Sequence, residues 1–147
     1  MDQLSRRTAR EQAFALLFEL SFHPGERLRD ILDRHAEDDT PAPDELALAL
    51  ALRAEEQRER LDEEIAKRLK PGWRLGRIPR VTHALLRLAV CEILCFDEIP
   101  VGASINEAVE LAKIYAGDEA PRFINGVLGA IARDQETGSG ENAEPRD

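Results

Sequence analysis

The sixteen residues PRVTHALLRLAVCEIL, Pro79 to Leu94, decide how the rest of the chain is read. Proline at a helix start loses no hydrogen bond, because the first amide groups of a helix have no partner within it. The segment that follows is apolar almost all the way round, with Arg80, His83 and Arg87 confined to one narrow stripe. A helix of that kind is buried on most sides, so the stretch from about Arg80 to Phe96 is read as the central element, covered by other helices. Glu92 projects from its broad apolar side. Catalysis is one use for such a carboxylate. A buried acid tied to an arginine or to the start of a neighbouring helix is the favoured one, since leaving it unpaired costs on the order of several kcal/mol.

Outward from this helix, apolar residues recur at spacings of three and four and strand signals are nearly absent. The chain is read as all-α. A first helix runs from Ser5 or Thr8 to about Phe22 and stops before His23-Pro24-Gly25; a second holds Leu28, Ile31 and Leu32. One long helical stretch is expected from about Asp44 to Lys70, ended by Pro71-Gly72, with Trp73 pinned into the core behind it. After the central helix, Ser104 and Glu107 have the spacing of a capping box, Gly117 suits a left-handed helix end, and Pro121 opens a last helix with Ile124, Val127, Leu128 and Ile131 inward. The 147 residues fit one domain. The helical body is expected over 1–133, and the aperiodic, acidic residues 134–147 as a disordered tail.

No stretch reaches the roughly 20 apolar residues of a membrane span, and Met1 leads into polar sequence, which places the chain in the cytoplasm with no membrane partner. Cys91 and Cys95 lack the spacing and nearby histidines of a zinc site and read as buried thiols. His23, His35 and His83 stand on separate segments. Glycine-rich phosphate loops, nucleophile elbows and H-E-x-x-H pairs are absent from the sequence, so neither enzymatic activity nor a cofactor or metal is expected.

A net charge of -9 argues against nucleic acid until its distribution is considered. Residues 30–70 carry -6 and residues 134–147 carry -4, whereas residues 1–29 carry +1 and residues 71–133 are neutral. Local basic patches are therefore available on the first and late segments. In the first helix Arg7, Phe14 and Phe18 share a stripe with Arg10 at its margin, and arginines at a helix start oppose the helix dipole unless an anion meets them. In RFINGVLGAI, residues 122–131, Phe123 lies at the edge of the core stripe, with Arg122, Gly126, Gly129 and Arg133 opposite. Two readings fit this pattern. In one, Phe123 is a core seal with the glycines admitting another helix; in the other, it is a stacking platform beside a phosphate-binding guanidinium.

The runs PRVTHALLRLAVCEIL, IPVGASINEAVELAKIYAGDEAPRFINGVLGAIA and RRTAREQAFALLFEL together closely resemble the NusB family of bacterial transcription antitermination factors, over nearly all of residues 5–133. The resemblance implies an all-α fold of two small helical bundles packed into one compact domain, with about six or seven helices and no catalysis. It implies a factor that binds the boxA element of nascent ribosomal RNA together with the small-subunit ribosomal protein NusE, in an antitermination complex with RNA polymerase. By position, the family's basic amino-terminal helix falls on Arg6, Arg7 and Arg10 and its RNA-facing region on Glu119, Arg122 and Phe123, while Arg87 and Lys113 are similar to basic family positions near that surface. Two other readings stay open: a protein-binding adaptor or self-associating module, with a homodimer as its form, and an accessory domain like the one that fronts ribosomal-RNA cytosine methyltransferases.

Overall fold

The computed structural model describes residues 3–142, and the side chains of residues 6–136. All regular structure among them is helical: α1 (Gln3–Leu20), α2 (Leu28–Glu37), α3 (Glu45–Glu56), α4 (Arg58–Ala66), α5 (Arg80–Cys95), α6 (Val101–Tyr115) and α7 (Ala120–Asn142), with one 3-10 turn at Leu75–Arg77. Helices α1 to α3 pack on one another as one bundle and α4 to α7 as a second. Helix α5 touches α1, α3, α4, α6 and α7 and forms the seam, as its all-round apolar sequence requires. No helix among the described residues is long and apolar enough to cross a membrane.

At that seam sits Glu92, 1% exposed. Arg10 of α1, 4% exposed, grips it with a fork: Nε donates to both carboxylate oxygens at 3.1 and 2.9 Å, and Nη2 donates to Oε1 at 2.8 Å. Ser104 Oγ of α6 donates to the same Oε1 at 2.7 Å. The buried acid is thus tied both to an arginine and to the first turn of a neighbouring helix. The capping box does not form. Helix α6 begins at Val101 behind Pro100, so Ser104 and Glu107 lie inside it, and their side chains serve tertiary partners, Glu92 and Arg7.

Three further expectations are corrected. The long stretch from Asp44 to Lys70 breaks at Gln57, because residues 55–60 offer no apolar residue to hold one face in register. Glu55 there turns aside to accept the Leu28 amide of α2 at 2.6 Å. Trp73 is not pinned into the core but is 55% exposed. Helix α7 continues past Arg133, and Asp134 is held by Arg68, just beyond the end of α4, so the described helix enters the segment expected as tail; residues 143–147 lie outside the described residues. Cys91 is buried, with desolvation pushing its thiol well above the ordinary range, whereas Cys95 is half-buried.

Helix α4 is fastened to α5 by Asp62. It accepts from His83 Nε2 at 2.8 Å and from Arg87 Nε and Nη2 at 2.9 and 2.7 Å. Partial burial raises the Asp62 pKa, but the hydrogen bonds from His83 and Arg87 outweigh it and bring it down to about 2.

Two predictions follow from these ties. Glu92→Ala, which strands a buried guanidinium, should destabilise the fold by about 3–5 kcal/mol, whereas replacing Arg10 and Glu92 together by methionine should recover most of that loss; urea denaturation measures both, and equal losses would contradict the pairing. Because the Asp62 pKa is depressed below the roughly 3.9 of an unfolded aspartate, its contribution is present above about pH 4 and is lost as pH falls towards about 2. Asp62→Asn should therefore flatten the pH dependence of the unfolding midpoint in that window.

Candidate nucleic-acid interface

The eight residues singled out in the sequence fall into three groups once their partners are known. The first is turned inward. Arg10 belongs to the Glu92 cluster and does not reach the surface, and Arg87 is committed to Asp62. The apolar stripe of α1 lies on both sides of Arg10 in sequence, so its guanidinium follows that stripe into the core.

The second group is paired but accessible. Arg7 forms a fork with Glu107 of α6, Nε to Oε1 and Nη2 to Oε2, both at 2.8 Å, while its side chain stays 43% exposed. Those bonds hold the Glu107 carboxyl below its usual range, against partial burial, which acts the other way. Lys113 meets Glu110 at 2.7 Å on the exposed face of α6. An exposed pair of that kind contributes about 1 kcal/mol or less, so an incoming phosphate can displace it.

The third group has no side-chain hydrogen bond or ion pair among the described residues. Arg6 is half-buried near the start of α1, and Arg122 is exposed in the first turn of α7. Glu119, just ahead of α7, is also exposed. Phe123 is half-buried, its ring stacked on Trp73 with centroids 6.2 Å apart and planes 25° apart. The idea that the glycines admit a second helix is corrected: a side chain at Gly126 would meet nothing within 4 Å, and at Gly129 only the end of Arg133. That side of α7 is open.

Helices α1 and α7 are linked through α6 rather than packed on each other. Helix α1 packs chiefly on α3 and α5, and α7 on α6 and α5. The α1–α6 link is Arg7–Glu107 together with Tyr115, whose hydroxyl donates to Glu11 at 2.9 Å and whose ring lies 5.3 Å from Phe14. The aromatic stripe of α1 is consequently not an exposed face. Phe14 is 5% exposed, stacked at 5.8 Å on Phe18, and the exposed end of the row is Phe22, under the Arg80 guanidinium.

Reading the charge in coarse segments missed one feature. From Ile65 to Cys91 the chain has no acid at all, yet carries Lys67, Arg68, Lys70, Arg74, Arg77, Arg80 and Arg87. Lys67 and Arg68 pair with Glu64, Arg80 donates to the Ser21 carbonyl, and Arg87 holds Asp62. Lys70, Arg74 and Arg77 are exposed without partners among the described residues. Charge counted over a sliding window would have found this run, whereas the boundary drawn at residue 70 divided it.

Among the described residues no group of three or more histidines, cysteines or carboxylates is arranged to hold a metal ion.

Comparison with known proteins agrees with this geometry. The chain is 41% identical to the transcription antitermination protein NusB of Bacillus pumilus, over 89% of this chain and 97% of that protein, and 40% identical to that of Bacillus subtilis, over 90% and 98%. It superposes on Thermotoga maritima NusB with a TM-score of 0.74 at 33% identity, covering 87% of this chain and 90% of that one. A chain in the crystal structure of the antitermination factors NusB and NusE in complex with double-stranded RNA gives a TM-score of 0.77 at 28% identity, with 90% and 99% covered. The NusB family model matches residues 7–133, and the chain belongs to the NusB family.

Proposed function

We propose that this protein is a transcription antitermination factor that binds the boxA element of nascent ribosomal RNA as a heterodimer with the ribosomal protein NusE, helping RNA polymerase read through terminators in the cytoplasm. The observation that carries the reading is the start of α7, where a partner-free, exposed Arg122 stands beside a half-exposed aromatic ring, Phe123. A flat surface next to a cation suits an unstacked base and its phosphate. The names of the relatives and the NusB–NusE–RNA complex support the same role.

Within this proposal Arg122 and Arg6 contact phosphates directly. Arg7 does so with its exposed edge while Glu107 fixes its direction, and Lys113 does so after releasing Glu110. Glu119 accepts a hydrogen bond from a base amino group or a 2′-hydroxyl. Arg10 and Arg87 act from behind, by setting the positions of α1 and α5. The reaction class is binding, with no catalytic step.

Fluorescence anisotropy with labelled boxA RNA, with and without NusE, tests the proposal. Affinity should fall with salt along a log–log slope of about -0.7 per phosphate contacted, Arg122→Ala should make that slope shallower by about one contact, and Phe123→Ala should weaken binding by roughly 1–3 kcal/mol. Salt-independent binding that ignores both substitutions in a folded protein would dispose of the proposal. A size-exclusion run on the chain alone reports whether a homodimer covers this face.

A further inference from the structure

The loop between α4 and α5 lies outside the positions that the resemblance marked, yet it delivers a large ring to the candidate interface. Lys70-Pro71-Gly72-Trp73 is closed by the Trp73 amide donating to the Lys70 carbonyl at 2.9 Å. Gly72 has a φ of +88°. Proline followed by a residue in the left-handed region is the combination of a type II turn, and glycine takes that conformation without strain. The turn holds Trp73 over Phe123 in an offset stack, one side of the indole on the phenyl ring and 55% of the residue still in solvent.

A tryptophan held this far out is unusual when its one ring partner among the described residues is itself at the edge of the core, since burying it would contribute more. The surrounding charge indicates what it faces. Lys70 and Arg74 flank it in sequence, both exposed and without partners among the described residues, within the acid-free run from Ile65 to Cys91 of a chain whose net charge is -9. Apolar protein surfaces are not selected for by a ring set among uncompensated cations. A nucleobase with its phosphates is.

We infer that Trp73 is a second stacking residue: Trp73 and Phe123 form a two-ring platform on which a single-stranded RNA base lies, with Lys70 and Arg74 contacting the flanking phosphates. The inference rests on the RNA-binding reading and extends it to a loop that nothing else assigns.

Trp73 is the only tryptophan of the chain, so its emission reports on this spot alone. The full-length chain is titrated at low salt with a short fluorescein-labelled single-stranded RNA carrying boxA, following the label's anisotropy, and with the same RNA unlabelled, following tryptophan emission. The two curves should share one midpoint, with tryptophan emission quenched. Trp73→Leu should weaken binding about 5- to 100-fold while Trp73→Phe, which keeps a flat ring, restores most of it; circular dichroism confirms that both variants fold. If RNA binds by anisotropy while tryptophan emission stays flat, or if leucine serves as well as phenylalanine, the platform is wrong and the RNA-binding reading stands. If anisotropy shows no RNA binding, both fall.

Discussion

Three helices are fixed to one another by a single carboxylate. Glu92 sits in α5 with the Arg10 fork from α1 on one side and the Ser104 hydroxyl from α6 on the other. Apolar faces alone hold helices together without defining how far one slides or turns on the next, because burial is non-directional. A planar guanidinium meeting a carboxylate at two oxygens is directional. Its net contribution to stability is modest compared with a well-packed apolar replacement, and its consequence is specificity of arrangement. With Arg10 held, α1 can present Arg7 to Glu107 and Phe14 to Tyr115, so the amino-terminal helix is joined to the second bundle as well as the first.

This arrangement separates the arginines by role. Those with carboxylates already at hand, Arg10 and Arg87, organise helices; those without, Arg122 and Arg6, leave their positive charge to whatever arrives. Arg7 stands between the two groups, aimed by Glu107 yet partly in solvent. Sequence position alone does not distinguish these cases, because Arg6, Arg7 and Arg10 lie within five residues of one another on one helix. What separates them is the 100° turn between neighbours and which acid a distant helix brings opposite.

The same distinction explains how much could be read in advance. Helix class, the central role of α5, the buried tie of Glu92 and the inward face of α7 all follow from local periodicity, which the sequence displays directly. The misread features depend on contacts between distant segments. Ser104 and Glu107 have capping spacing, but Glu92 and Arg7 claim them; the helix breaks at Gln57, beside a Glu55 that accepts the Leu28 amide of α2; Trp73 has a core residue's character, but a glycine turn carries it out. For the candidate interface, Arg122 and Phe123 were visible as an arginine beside an aromatic at a helix start. The exposure of Trp73 was not, since whether a loop tryptophan points in or out is settled by the turn's geometry and by the ring that receives it.

How a protein of net charge -9 can attract RNA is a question of distance rather than of totals. At physiological ionic strength an exposed charge is largely screened beyond about 8 Å, so acids elsewhere on the body weigh little at the start of α7. Nearby acids matter only if they are unneutralised, and in this fold many are not free: Glu92, Glu107, Glu110, Asp62 and Asp134 each already hold a cation. The local field is set by what is left over, namely Arg122, Lys70 and Arg74 against two exposed acids, Asp118 and, next to the helix, Glu119. Glu119 precedes a helix start, where the dipole favours a negative charge. Its presence costs the interface some attraction for phosphate while giving it an acceptor that phosphate-binding arginines cannot supply, and so a means of distinguishing a base edge or a ribose hydroxyl from bare backbone charge.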